Sequence, residues 1–305
     1  MTTWIGTIGH MAPGPCAATL DVSAEDRVVH GGGPGTLAPA RVRVYGPPSR
    51  AWAVTAGRRP AELAVIESLA RRQARYGGAL RVLPCDAIEH NMLSPQASED
   101  LEGWSGLARV TRPDVAGVGS GADSGEGSPA LYPSTSLYPS STLYPSAGTP
   151  PRVDLGGVWP ALVGEVAAGT TAPSPRVPVP RAGTLYAAVH VTGNPIVRVI
   201  VRDHVGAALV TETLQVTGGT AALTRTVHLP VTAPEAAVSV ELAVQAPTMG
   251  SGVWVAWPSI AYAATDYVPG RGCDAAWLSS PQRSVAWTWG AGFEDHSWTI
   301  REVGQ

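Results

Sequence analysis

Two tryptophans are the side chains of this sequence best suited to ligand chemistry. Trp254 and Trp257 lie three positions apart in the strand-like segment 252–257. Sugar rings stack on exposed aromatic side chains, because the C–H faces of a sugar are apolar. In a regular strand, residues three apart point to opposite faces unless a bulge intervenes. One of the two is therefore a candidate glycan-stacking residue, and a tryptophan of the hydrophobic core is the alternative.

Catalytic patterns are not apparent. Asp203-His204 is the nearest approach to an acid/base pair, but it follows the strand-like segment 196–201 and indicates a turn that carries a solvated histidine. The run 31–35 is glycine-rich, yet it lacks the Lys-Ser/Thr that would reach a phosphate. No pair of carboxylates suggests itself for glycosidase chemistry. We therefore expect no enzyme activity and no cofactor.

Composition argues against several further classes of protein. All 21 basic residues are arginine and scattered, charged residues make up 15%, and the net charge is −3, so neither nucleic acid nor an anionic membrane is an expected partner. We expect no signal peptide and no membrane span. Cys16, Cys85 and Cys273 are odd in number and far apart, which predicts neither a disulfide framework nor a metal site. A reducing cytoplasm is the compartment of synthesis that fits best.

A linker is predicted over 113–152. A Gly/Ser/Asp stretch at 117–128 is followed by Leu-Tyr-Pro-Ser, which occurs three times, at 131–134, 137–140 and 143–146. Proline stiffens such a segment and serine keeps it solvated, so the repeats are typical of a semi-extended spacer. A ligand tract for another protein is the alternative.

The residues before the linker, 1–112, predict an α+β domain with one prominent helix. Apolar and basic residues alternate over 40–45, and 51–54 and 79–84 are further short strands. The helix is predicted over 60–76, because Pro60 lies in its first turn, apolar residues recur at three-to-four spacing, and 77–78 is Gly-Gly.

The residues after the linker predict an antiparallel β-sandwich over 153–272. Its expected strands are 185–191, 196–201, 207–214, 221–229, 238–244, 252–257 and 259–264. About seven strands separated by turn signals are typical of a sandwich. The last segment, 273–305, is rich in aromatic residues, and it is expected to pack elsewhere, for example back on the N-terminal domain. Trp287, Trp289 and Trp298 are assigned to the core or to a subunit interface.

Several short stretches carry a family resemblance. They are 50–54, the helix with the following Gly-Gly, 80–87, 91–95 and the closing 297–304. Together they resemble the distal tail or minor tail proteins of long-tailed, siphovirus-type phages that infect actinobacteria. The predicted sandwich is similar in pattern to galectin-like or carbohydrate-binding-module jelly rolls.

The resemblance implies a structural protein of the virion tail tip. In that family the N-terminal domain forms a belt, commonly a hexameric ring, between the tail tube and the tip, and the sandwich projects outward, with or without sugar binding. The implied partners are further copies of this chain, the neighbouring tail-tube and hub proteins, and a host cell-wall glycan. Candidate contacts for assembly lie on the predicted helix: Leu63, Ile66, Leu69 and Arg72. The alternative function is a carbohydrate- or receptor-binding adhesin, and a glycan hydrolase is a third hypothesis.

Overall fold

The computed structural model describes residues 2–15, 19–23, 26–31, 40–45, 49–57, 60–76, 78–111, 162–218, 225–248, 252–265, 267–279, 282–288 and 291–302. The predicted linker and its repeats therefore lie outside the described residues. The strands before the linker are β1 Thr2–Thr7, β2 His10–Pro15, β3 Thr19–Ser23, β4 Asp26–Gly31, β5 Ala40–Tyr45, β6 Ser49–Gly57, β7 Leu80–Leu83 and β8 Leu107–Thr111. The helices are α1 Pro60–Tyr76, α2 Cys85–His90 and α3 Pro95–Glu99.

The strands after the linker are β9 Leu162–Val166, β10 Thr171–Pro173, β11 Val177–Pro178, β12 Gly183–Val191, β13 Ile196–Arg202, β14 Ala208–Gln215, β15 Arg225–Ala233, β16 Ser239–Gln245, β17 Val253–Ala261, β18 Cys273–Leu278, β19 Gln282–Thr288 and β20 Ala291–Glu302. The strand pairings of the described residues are antiparallel, which confirms the prediction of a mainly β chain. In the part of the chain that is described, no helix combines the length and the apolar character that crossing a membrane requires.

One eight-stranded sheet, here the first sheet, combines strands from both ends of the chain. Its order is β2-β1-β7-β18-β20-β6-β3, and β19 pairs with β20. The segment predicted to pack elsewhere thus contributes β18 next to β7 and β20 next to β6. The residues between β7 and β18 leave this sheet, build the sandwich and return, so the sandwich is an insertion within the first sheet.

Helix α1 has the bounds that its sequence predicted and packs on the first sheet. Its apolar stripe places Ile66 and Ala70 in a core with β-strand residues that include Trp298. Gln73, which is only 2% exposed, fixes the helix in position. Its amide donates to the carbonyl of Ala276 at 2.8 Å and accepts from the N–H of Leu278 at 2.8 Å, so the helix is joined directly to β18.

The sandwich consists of two five-stranded sheets around a valine- and leucine-rich core. One sheet has the order β10-β16-β13-β14, with β11 on β16, and the other has the order β15-β12-β17-β9-β8. Strand β8 pairs with β9, although 107–111 falls within the range predicted for the N-terminal domain. The two strands expected at 252–257 and 259–264 are one continuous strand, β17, so that prediction was wrong: a bulge rather than a turn interrupts the pattern.

The segment 84–106 joins the first sheet to the sandwich, and Asn91 is its central residue. Asn91 is fully buried. Its amide nitrogen donates to the carbonyls of Pro258, at 3.2 Å, and Val268, at 2.9 Å. Its Oδ1 accepts from the N–H groups of Leu93, at 3.1 Å, and Ile260, at 3.3 Å. One side chain thus connects the segment to β17 and to the chain that returns to the first sheet.

We expect Asn91→Ala to lower the free energy of unfolding by about 3 kcal/mol or more, because four backbone groups, three of them in buried hydrogen bonds, lose their partner. Denaturant unfolding followed by circular dichroism measures this value. The control is Thr213→Ala on the exposed strand β14, which is expected to stay within about 0.5 kcal/mol of wild type. Equal stabilities for the two variants would contradict the role assigned to Asn91.

Candidate functional site

A β-bulge in β17 determines the arrangement of the two candidate tryptophans. Between β12 and β17, Ala188 pairs with Ser259, whereas His190 pairs with Ala256. Two residues of β17, Trp257 and Pro258, therefore oppose a single residue of β12. The extra residue reverses the alternation of side chains along the strand. The sequence analysis expected the two tryptophans on opposite faces unless a bulge intervenes. The bulge is present, and both tryptophans lie on the same side of the sheet.

That side is the outer face, defined here as the surface of the β15-β12-β17-β9-β8 sheet that is turned away from the sandwich core. Val253 and Val255 alternate with Trp254 along β17 and point into the core. Trp254 and Trp257 are both partly buried, and both pack against a small apolar cluster of Val163 and Ala256. Each ring is therefore partly accessible to a ligand.

Trp257 is held in an unusual backbone conformation. Its φ is +48°, in the left-handed region that bulky L-residues rarely adopt. Its ring stacks on Tyr267, with 5.1 Å between ring centroids and an interplanar angle of 11°. It also meets His190 edge to face, with 5.6 Å between centroids. Strain of this kind persists where the surroundings over-determine it, and it is concentrated at functional sites.

His190 lies under the Trp257 ring and is almost completely buried, at 4% exposure. Its Nε2 lies 2.9 Å from Oγ1 of Thr226, and its Nδ1 has no hydrogen-bond partner in the described structure. Burial, with a smaller contribution from the nearby His228, lowers the pKa of His190 to about 4. The imidazole is therefore neutral at neutral pH and acts as an aromatic support. We call Trp254, Trp257, Tyr267 and His190 the aromatic cluster.

Hydrogen bonds from Thr192 and Asn91 fix the strand that carries both tryptophans. Thr192 Oγ1 accepts from the N–H of Trp254 at 2.9 Å, and the Thr192 N–H donates to the Trp254 carbonyl at 3.1 Å. Asn91 binds the backbone on both sides of Ser259, directly after the bulge. The positions of both tryptophans are therefore set by contacts with residues that are distant in sequence.

The four residues proposed for assembly have different environments on α1. Ile66 is fully buried against the sheet of its own chain, which leaves it no surface for a second copy. Leu69 is partly buried against the same core, and Arg72 is exposed. Leu63 belongs to the helix, but its side chain lies outside the described residues. The large exposed hydrophobic residues of the first sheet and its helix include Val65 and Trp277, of which Trp277, on β18, is 46% exposed.

The other side chains considered for catalysis or metal binding are exposed, buried or engaged in structural hydrogen bonds. Asp203 Oδ1 accepts from the N–H groups of Val205 and Ala207, so this carboxylate caps a turn, and His204 is exposed. Cys273 is a free thiol, and burial together with the charge of Glu302 raises its pKa to about 12. Among the described residues, no group of three or more His, Cys, Asp or Glu side chains has an arrangement suited to a metal ion. Cys16 and 32–35 lie outside the described residues.

Sequence reasoning found the two tryptophans but not their partners. His190 and Tyr267 are 67 and 10 positions from Trp257, and no local pattern connects them. The sequence carries one weak signal, which is that His190 follows apolar residues near the end of the predicted strand 185–191.

Comparison with known proteins gives only distant structural likenesses. No protein-family model and no curated protein matches the sequence. Among solved structures, the enzymatically active domain of tailspike protein 4 of bacteriophage CBA120 is 10% identical, with a TM-score of 0.35; the match covers 56% of this chain and 21% of that one. This chain therefore spans about a fifth of the length of that domain.

Carbohydrate-binding modules also match. TmCBM61, solved with β-1,4-galactotriose, is 10% identical, with a TM-score of 0.28; the match covers 56% of this chain and 98% of the module. A module of Cellvibrio mixtus lichenase 5A, solved with cellotriose, is 18% identical, with a TM-score of 0.25 and coverage of 36% and 82%. At these identities and scores, none of the three assigns this chain to a family.

The buried His190 predicts a pH-dependent stability. Its pKa is about 4 in the folded chain and 6.5 in the unfolded one, so protonation below pH 6.5 favours unfolding. Its contribution is complete above about pH 6.5 and is lost as the pH falls towards 4, a difference of about 3 kcal/mol. We expect His190→Gln to remove this part of the pH dependence in denaturant unfolding. The exposed His204, changed to Gln, is the control, and coincident pH profiles of wild type and His190→Gln would disprove the effect.

Proposed function

We propose that this chain is a non-enzymatic glycan-binding protein that contacts its receptor through the outer face of the sandwich. The observation that supports this proposal is the aromatic cluster. A bulge brings two partly exposed tryptophans to one surface, and one of them is strained and braced by a stacked tyrosine and a buried neutral histidine. A partly exposed aromatic surface is suited to the apolar C–H face of a sugar.

The rigidity of the aromatic cluster is consistent with binding. Trp257 cannot turn without losing its stacking on Tyr267, and Trp254 is held through both of its backbone groups by Thr192. Preorganised rings lose little conformational entropy when a ligand binds. A core tryptophan would instead be expected to be fully enclosed, as Trp298 is in the first sheet, where it is only 3% exposed.

Trp254→Ala is expected to weaken oligosaccharide binding at least about tenfold, because the variant loses one stacking surface. The measurement is affinity electrophoresis or calorimetry with cello-, manno- and galacto-oligosaccharides and with bacterial cell-wall polysaccharide. Trp277→Ala is the matched control, since Trp277 is an exposed tryptophan on the first sheet rather than on the sandwich. Wild-type protein that binds none of these glycans would refute the proposal, and equal losses in both variants would exclude the outer face as the site.

A second candidate function, compatible with the first, is that of a structural component of a phage tail tip. We propose that the first sheet assembles into a ring between the tail tube and the tip and that the sandwich is displayed outward. The insertion topology supports this division, because the strands on both sides of the sandwich pair within a single sheet. Trp277 on β18 and Val65 on α1 are two exposed apolar side chains of that unit that another copy could cover.

The native mass of the purified protein tests the ring. We expect a closed assembly of about six chains of 31.5 kDa, visible in negative-stain images, because a repeated head-to-tail interface must close to avoid forming a filament. Trp277→Ser is expected to convert the assembly to monomers and to leave glycan binding unchanged, whereas Trp254→Ala leaves the assembly intact. A monomeric wild type, also in the presence of the neighbouring tail proteins, would disprove this candidate.

A further inference from the structure

A cavity of about 180 Å³ lies between the first sheet and the sandwich, on a different surface from the aromatic cluster. The residues that define its chemistry are Arg81, Gln96, Glu102, Pro175, Asp274 and Glu302. They come from β7, from β18, from the end of β20, from the joining segment and from the sandwich. The cavity therefore exists only because the insertion packs back against the sheet that it leaves.

A bulge in β18 forms one wall of this cavity. Cys273 pairs with Val82 and Ala276 with Leu80, so Asp274 and Ala275 together oppose Arg81. Arg81 Nη1 lies 3.0 Å from Asp274 Oδ1 and also donates to the carbonyl of Arg176 in the sandwich. A guanidinium has five N–H donors, so Arg81 retains donors that can bind a ligand.

The opposite wall offers polar groups without a partner. The side chains of Gln96 and Glu102 are half-buried, and neither forms a hydrogen bond or an ion pair within the described part of the chain. An amide supplies both donors and acceptors, and a carboxylate accepts from two adjacent hydroxyl groups. Pro175 and Ala275 add apolar surface between these groups.

The charge balance of the cavity limits the class of ligand. Asp274 is paired with Arg81, and Glu302 is paired with Arg50 at 2.8 Å, so Glu102 supplies the remaining negative charge. An anion would meet a net negative wall, because carboxylates outnumber guanidinium groups in the lining. Neighbouring hydroxyl groups on a neutral ring can satisfy the amide, the carboxylate and the guanidinium together.

The volume of the cavity limits the size of the ligand. At about 180 Å³, the cavity is of a size that suits a ligand of one ring. Larger ligands usually require about 300 Å³ or more. We infer that this cavity is a binding site for a single uncharged sugar ring, separate from the glycan site proposed on the outer face of the sandwich.

Ligand-observed NMR and thermal unfolding with D-glucose, D-galactose, D-mannose, L-rhamnose and N-acetyl-D-glucosamine test this site in the full chain. We expect at least one of the five to bind with a dissociation constant on the order of 1 mM, as the small size of the ligand implies. Binding at that concentration raises the unfolding temperature, because the ligand contacts both walls only in the folded chain.

Two variants of the cavity lining test whether a monosaccharide binds in the cavity. Glu102→Ala removes the unpaired carboxylate and Ala275→Leu fills the cavity, and each is expected to weaken monosaccharide binding at least about tenfold. Circular dichroism establishes that both variants are folded. Thr213→Ala, on the exposed strand β14, is the control and is expected to leave monosaccharide binding unchanged. Binding that is lost in Trp254→Ala but kept in both cavity variants would belong to the outer face, so failure of this site and failure of the outer face are distinguishable. Absence of binding for all five sugars, or binding that persists in both cavity variants, would overturn the inference.

Discussion

The buried amide of Asn91 is the interaction on which the arrangement of the two parts depends. Its four hydrogen bonds reach Leu93 in its own segment, the backbone around Ser259 in β17, and Val268 in the return segment. In a low-dielectric interior each of these backbone groups would be costly to leave unpaired. The amide therefore fixes where the chain leaves the sandwich, and this in turn fixes where β18 enters the first sheet.

Other polar contacts join the strands that precede the sandwich in sequence to those that follow it. Arg50 binds Glu302 through its Nε at 2.9 Å, and it donates to the carbonyls of Arg271 and Gly272 at 3.0 and 2.6 Å. Arg50 and Glu302 are 252 positions apart in sequence. Gln73 connects α1 to β18 in the same way. The first sheet is thus completed by strands that follow the sandwich in sequence. The cavity lies where this sheet borders the sandwich.

The aromatic cluster illustrates how a scaffold maintains local strain. A left-handed tryptophan is unfavourable on its own, but stacking on Tyr267, the edge contact with His190 and the neighbouring hydrogen bonds of Asn91 hold it in place. The same packing excludes water from His190 and keeps it neutral. The result is a stiff surface whose orientation depends on the junction of the two parts. Asn91 therefore holds both the proposed glycan site and the connection between the sandwich and the first sheet.

The sequence by itself determined the features that depend on local pattern. The bounds of α1 follow from apolar spacing, a proline in the first turn and Gly-Gly after the last, and the strands β12, β13 and β16 follow from runs of apolar residues between turns. The tertiary structure decided the features that depend on contacts between distant residues. The bulge that brings Trp254 and Trp257 to one face is stabilised by Asn91, which lies 167 positions before Pro258. The alternation of side chains along a strand does not reveal where an extra residue forms a bulge. Only the folded chain therefore determined that β17 is continuous, that His190 and Tyr267 meet Trp257, and that strands from before and after the sandwich share one sheet.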